Sequence, residues 1–262
     1  QGLIGRYCLG YREGFTKEVD KGLAAMGGYE YKIDNQGLSD PWNIELKKEW
    51  WRKEILKAGA DIWFGAIGSG TIVENKRIKG VLISTSQGRF IVSADVVIDA
   101  TGNAEIATAA GAKTIINQTN EIAVQGTGLP PKELGARYTN TDYSYVYDTD
   151  VVDAWRMQVN AKNKFHNYFD LAQLIDTRER KRVLGEFTIT PLDIYNNRTF
   201  PDSIVFTKSN FDSHGFTTHP VFSLKPPDKD VITAYIPYRC LIPKDLEGII
   251  VIGLGISSHR DA

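Results

Sequence analysis

The chain has 262 residues, 31 lysines and arginines against 32 aspartates and glutamates, a formal net charge of −1 and a mean hydropathy of −0.27. That length fits one large domain or two modest ones, and the near-neutral charge supplies no bulk attraction to nucleic acid or an anionic membrane surface. No apolar run approaches the roughly 18 residues of a membrane-spanning helix.

In chain order, the first helix is expected in EGFTKEVDKGLAAMGG. Thr16 would cap it, Val19, Leu23 and Met26 would share a face, and Gly27 and Gly28 would end it. A second helix is expected in SDPWNIELKKEWWRKEILKAG, with Asp40 as cap, Pro41 in the first helical position and Gly59 as the stop. Ile44, Trp51, Ile55 and Ala58 would form its buried face. Asp61, Ile62, Trp63 and Phe64 then read as a short buried strand, which makes helix and strand half of a βαβ unit.

Three closely spaced strands follow at 71–74, 80–85 and 89–93, separated by ENK and SQG, and they predict an antiparallel meander. Residues 96–99 read as a buried strand. It runs into Ala-Thr-Gly and an alanine-rich helix beginning at Asn103. After Ala112 the texture changes: LPPKELGARYTNTDYSYVYDTD is rich in turn formers and tyrosine. A helix is expected near 151–164. DTRERKRVLGEFTIT alternates like a strand, and RVLGEFTIT is expected to build a layer of its own in the middle region. TKSNFDSHGFTTHPVFSLKPPDKD reads as loop. Residues 249–252 read as a last buried strand, expected to be a neighbour or near-neighbour of 96–99 in one parallel sheet. An α/β beginning, an irregular middle and an α/β end predict one domain interrupted by another.

Four short segments carry candidate chemistry. In VVIDATGNAEIATAAGA a parallel strand ends in Thr-Gly before a helix, the kind of place where ligands bind. Gly102 would allow close backbone approach, and free N–H groups at the helix start favour polar or anionic oxygens. Asn103 is either a ligand contact or an ordinary N-cap. In VIGLGISSHRDA, Gly253 and Gly255 follow a strand as in the first part of a dinucleotide turn, but Ser258 stands at the third glycine position. GSGTIV fits worse, because Gly68 and Gly70 open a strand. In TRERKRV, Arg178, Arg180 and Arg182 share one face of an extended strand; they suit a carboxylate or phosphate, or simply a charged edge. In FDSHG, Asp212 could orient the His214 imidazole for proton transfer, or His214 is a surface histidine.

His259 sits beside Arg260 and Asp261 directly after a core strand, a more functional position than that of His166 in its lysine-rich stretch. Cys8 and Cys240 form no CxxC pair or metal spacing and read as buried thiols, with one long-range disulfide as the alternative, so the compartment stays open. HExxH, P-loop and GxSxG patterns do not occur, and no metal site is expected.

Taken together, IELKKEWWRKEILKAGADIWFGA, the meander, ADVVIDATGNAEIATAAGA, RERKRVLGEFTITPLDI with FPDSIVF, and IPYRCLIPKDLEGIIVIGLGISSHRDA resemble the FAD-dependent oxidoreductases of the glutathione-reductase-like fold. The nearest group resembles bacterial members that carry the label xanthan lyase. The resemblance runs through most of the chain in order, and its most specific parts are ATGNA and SHRDA. It implies an α/β FAD-binding-type domain at 1–112 and 232–262, interrupted by an α+β substrate domain at 113–231. It implies cofactor contacts at Ala100, Thr101, Gly102, Asn103, Gly253, Gly255, Ser257, His259 and Arg260. Arg178, Arg180, Asp212 and His214 would act on the substrate side.

The family's N-terminal GxGxxG turn and its C-terminal helix have no counterpart here. The domain is therefore expected to be incomplete, the chain to be a portion of a longer flavoenzyme, and FAD binding by the chain alone to be weak or absent. The implied reaction is hydride transfer between an organic substrate and flavin. The implied partner is a small molecule, with a carbohydrate link suggested only by the label, and neither nucleic acid nor membrane. The rival readings are a non-redox binding or structural module and a carbohydrate-processing lyase.

Overall fold

The computed structural model describes residues 14–28, 43–116, 123–127, 141–144, 150–164, 174–177, 181–209, 219–224 and 232–262. The chain divides into two compact units, one of residues 1–65, 207–211 and 229–233, the other of residues 66–206, 212–228 and 234–262.

The first unit contains helices α1 (Phe15–Ala25) and α2 (Ile44–Lys57). Helix α1 buries Val19 and Leu23 and half-buries Met26, the face its periodicity predicts. Its N-cap is Gly14 rather than Thr16: the chain enters the helix through a left-handed backbone (φ 56°) that glycine adopts readily and threonine resists. Helix α2 is capped by Asn43, whose side chain accepts a 3.1 Å hydrogen bond from the Leu46 N–H. The helix thus starts later than the expected cap at Asp40.

The buried face of α2 also differs from expectation. Trp50 is its buried residue, while Trp51 and Ile55 stay exposed. The reason lies in α1: a side chain at Gly22 would collide with the Trp50 indole, so the bare glycine decides which tryptophan enters. Residues 61–64 belong to no strand, and Trp63 and Phe64 are 57% and 81% exposed. Apolar side chains alone do not make a strand, because its N–H and C=O groups need a ladder as well.

In the second unit β1 (Ile67–Glu74), β2 (Arg77–Thr85) and β3 (Gly88–Ser93) form the expected antiparallel meander in that order. Asn75 and Lys76, both with positive φ, make the tight β1–β2 turn, a two-residue connection whose twist suits a hairpin. Then come β4 (Val97–Asp99), α3 (Glu105–Ala109), β5 (Thr114–Ile115), β6 (Ala123–Thr127), β7 (Thr141–Ser144), α4 (Val151–Lys164) and β8 (Leu174–Thr177). They are followed by β9 (Arg182–Val183), α5 (Pro191–Tyr195), β10 (Ser203–Ser209), α6 (Pro220–Leu224), β11 (Ile232–Pro237) and β12 (Ile249–Val251), of which residues 207–209 and 232–233 are counted in the first unit. Helix α4 spans the expected residues. β6 lies between β7 and β8 in an antiparallel sheet, and β10 pairs with β11.

β4 and β12 pair in parallel, Val97 with Ile249, Ile98 with Ile250 and Asp99 with Val251. Residues some 150 positions apart in sequence (249 − 97 = 152) therefore meet as the topology reading required. The pair is half-buried rather than fully buried. Val97 and Asp99 turn inward while Ile98 is 60% exposed, so the apolar run hides a period-two alternation. The core on the covered face is built from Ile78, Ala104, Ile106, Ala107, Ala112, Val183, Leu246, Ile249 and Val251.

Val183 in that core corrects one expectation. The 182–189 segment is not a layer of its own. β9 pairs antiparallel with β5, Gly185 bridges to Pro243, and Ile189 bridges in parallel to Ser258. Its backbone therefore laces the meander unit's core to the chain that follows β12.

Candidate functional site at the carboxyl ends of the parallel pair

Two turns leave the paired strands side by side, and they are built differently. After β4, Asp99 is 1% exposed. One carboxylate oxygen accepts from the Thr101 N–H at 3.0 Å and from the Thr101 hydroxyl at 2.7 Å; the other accepts from the Ala107 N–H at 2.9 Å. The Thr101 hydroxyl in turn accepts from the Glu105 N–H at 3.0 Å. A buried carboxylate and a threonine thus satisfy the orphan N–H groups at the start of α3. The cap position is Ala104, left-handed at φ 49° and without a side-chain bond.

Asn103 is therefore not the cap. Its Oδ1 accepts from the Lys181 N–H at 2.7 Å, and its Nδ2 donates to Glu105. Lys181 also reaches Glu105 through its Nζ at 2.9 Å and holds that carboxyl below the usual carboxylate range. This brace ties the residue before β9 to the β4 turn. Ala100 and Thr101 stay exposed, and Gly102 has φ 76° with nothing within 4 Å of where a side chain would stand.

After β12 the turn is made by backbone. Ile252 donates to the Asp99 carbonyl at 3.0 Å and continues the parallel ladder. Gly253 has φ 73° and again open space in place of a side chain, and it starts a 3-10 turn through Gly255. Gly255 is buried: a side chain there would stand 3.1 Å from the Ala104 N, so the glycine lets the two turns touch. The Ser257 N–H donates to the Cys240 carbonyl at 2.9 Å, and the Ser257 carbonyl and the His259 N–H bond to Ile189 at 3.2 and 2.8 Å. The buried Ser257 hydroxyl shares a 2.8 Å hydrogen bond with that of Thr188. Cys240 is a free buried thiol whose pKa burial pushes up to about 11, so it is not a nucleophile at neutral pH.

His259 and Arg260 are drawn inward. The His259 Nδ1 accepts from the Asp261 N–H at 3.1 Å, so the neutral ring carries its proton on Nε2. Its ring meets that of His219 edge-on at 5.2 Å, and Asp261 accepts from the His219 N–H at 2.6 Å. Burial lowers the His259 pKa; Asp261 opposes this, and His219, Arg182 and Arg260 add to it.

Of the expected residues, the structure thus gathers Ala100, Thr101, Gly102, Asn103, Gly253 and Gly255 at one place, with Ser257, His259 and Arg260 on the chain that leaves it. Arg178, Arg180, Asp212 and His214 lie outside the described residues, as does Cys8. Sequence reasoning passed over Asp99, Lys181 and His219. The buried acid at a strand's end before Ala-Thr-Gly was the available signal for Asp99. Nothing local marked Lys181 or favoured His219 over His214. Among the described residues no group of three histidine, cysteine or acidic side chains is placed to hold a metal ion, and no helix is long and apolar enough to cross a membrane.

The solved structures similar to this chain include CabE, an aromatic hydroxylase from angucycline biosynthesis (13% identity, TM-score 0.45, 71% of this chain and 47% of that one). Another is a geranylgeranyl bacteriochlorophyll reductase-like protein from Thermoplasma acidophilum (18%, TM-score 0.41, 71% and 58%). A third is the flavin-dependent brominase Bmp2 (13%, TM-score 0.42, 70% and 60%). The chain spans less than two thirds of each, and with these TM-scores the assignment rests on the family match. No curated protein matches the chain. The family model described as FAD dependent oxidoreductase matches residues 9–169 and 133–262. With that match running through nearly its whole length, the chain belongs to the FAD dependent oxidoreductase family.

Proposed function

We propose that the protein is a flavin-dependent oxidoreductase in which the carboxyl ends of β4 and β12 receive the flavin side of FAD, the family's cofactor. The observation that carries this is the pair of left-handed glycines, Gly102 and Gly253, that follow two hydrogen-bonded parallel strands and leave open space where side chains would stand. With exposed Ala100 and Leu254 beside them, they form a surface of peptide edges and small apolar groups. Such a surface fits a flat ring that needs both stacking area and backbone hydrogen bonds.

When bound, the flavin supplies the redox chemistry, accepting or giving a hydride. The chain's own residues supply position and charge. Asp99 and Thr101 fix the β4 turn, Asn103 and Lys181 brace it, and Gly255 lets the second turn close against it. Ser257 anchors the outgoing chain, which carries the His259 Nε2 proton and the Arg260 charge. The proposal also includes the finer fold reading, a glutathione-reductase-like domain interrupted by a substrate region within 113–231 that leaves out the 182–189 segment, and substrate-side roles for Arg178, Arg180, Asp212 and His214 on a small organic molecule.

The test is the visible spectrum of the whole protein as purified, with extraction of its chromophore. The reading expects a flavin spectrum and FAD in the extract. A colourless protein that takes up no added FAD would sink it.

A further inference from the structure

A pocket of about 550 Å³ opens beside α5, lined among others by Phe187, Thr188, Leu192, Asp193, Asn196 and Arg198. Its volume lies in the range that holds a small organic ligand, roughly 300–1,000 Å³. We propose that it binds a small amphipathic carboxylate, with the carboxylate on Arg198 and the apolar body on Leu192 and Phe187.

The argument starts from how Arg198 is held. Its Nη1 donates to the Asp193 Oδ1 at 2.7 Å, and its guanidinium lies 4.8 Å from the Phe200 ring centre and 5.4 Å from that of Phe187. The cation is therefore fixed before any ligand arrives, which removes much of the ordering cost of binding. Asp193 lines the pocket too, but both its oxygens are already engaged. Its Oδ2 accepts from the Thr190 N–H and hydroxyl at 2.9 and 2.7 Å, and its side chain is 8% exposed against 54% for Arg198. The outward surface of this ion pair is the guanidinium. Among the described residues its Nε and Nη2 take no hydrogen bond, leaving two donors for a carboxylate.

The neighbouring cation does not compete. Arg239 gives its Nε and Nη2 to the two oxygens of Asp202 at 2.9 and 3.0 Å, and lies 5.3 Å from the Phe187 ring centre. One open guanidinium edge suits a single carboxylate better than a phosphate dianion, which asks for more donors. Exposed Leu192 and half-buried Phe187 supply the apolar wall, and the exposed Asn196 amide offers a further polar contact. The Thr188 wall is hydrogen-bonded to Ser257 on the chain that leaves the β12 turn. Taking this ligand as the oxidoreductase's organic substrate rests on the flavin reading; the ligand class of the pocket does not.

The test uses cyclohexanecarboxylate and the isosteric cyclohexanecarboxamide as probes, titrated into the chain without flavin and followed by amide NMR shifts. The acid should bind roughly tenfold tighter than the amide, the scale of a charged hydrogen-bonded pair. Its shifts should centre on Phe187, Leu192 and Asn196. Arg198→Gln should erase the difference between acid and amide, and Arg198→Lys should restore part of it. Equal affinity for the two probes, no binding by the acid, or shifts centred elsewhere on the wild-type chain would overturn the proposal. Those wild-type arms decide even where Arg198→Gln fails to fold. Because no arm contains flavin, failure of the flavin reading leaves every result here unchanged.

Discussion

The turns after β4 and β12 do the same geometric job by opposite means. Each leaves a parallel strand and reverses through a left-handed glycine, Gly102 and Gly253. The β4 turn is knit by side chains, with Asp99 and Thr101 serving the N–H groups of three residues between them. The β12 turn is held by main chain threaded against Cys240 and Ile189, with one buried hydroxyl pair at Ser257. The difference tells where each turn is vulnerable. A side-chain network fails at a single residue; a backbone network fails only when the chain's path changes.

That contrast is sharpest at Asp99. Asp99→Ala leaves the Thr101 N–H and the buried Ala107 N–H without their acceptor, and should cost about 3 kcal/mol, on the scale of buried groups left unsatisfied. Denaturant unfolding of the variant checks it. A loss under about 1 kcal/mol would mean water replaces the carboxylate and the turn is less closed than described. Gly102→Val and Gly253→Val should each cost about 1–2 kcal/mol, since both turns demand a positive φ that a β-branched residue resists although space is open. Equal losses at the two sites would show that backbone conformation, not the surrounding network, sets this term. Ser257→Ala leaves the Thr188 hydroxyl without its partner and should cost about 1 kcal/mol, clearly less than Asp99→Ala.

The smallest effect concerns pH. Burial holds the His259 pKa below its ordinary value, so the unfolded chain binds that proton more readily than the folded one. The contribution is fully present above the unfolded pKa, about 6.5, and is lost as pH falls through the folded value. The melting temperature should therefore drop as pH is lowered from about 7 to 5, and His259→Gln should flatten that part of the profile. An identical slope in the variant would assign the proton uptake to other groups.

Legibility in the sequence followed how local the cause was. The meander was legible because its strands are closely spaced and joined by short polar turns. The β4 and β12 runs were legible as strands because both are apolar and β-branched, and their pairing was a topological expectation that came with the family resemblance. Burial was not: Ile98 and Val97 look alike in sequence, and only the single covered face separates them. Trp50 and Trp51 are adjacent and equally apolar, and the choice between them belongs to Gly22 on another helix. The candidate site's turns were foreshadowed by its glycines, whose positive φ the backbone demands, but its contour was only partly legible. It was illegible at Lys181 and His219, whose partners lie 78 and 42 residues away.

The central claim is that flavin sits against the carboxyl ends of β4 and β12. Ala100 is exposed there and belongs to none of the networks above, so Ala100→Trp can fill the surface without disturbing the core. The direct measurement is flavin content per protein in the whole Ala100→Trp variant beside wild type, with circular dichroism to confirm an unchanged fold. The account predicts that the folded variant loses most of its flavin. A folded variant with wild-type flavin content would contradict it and move the cofactor away from this surface.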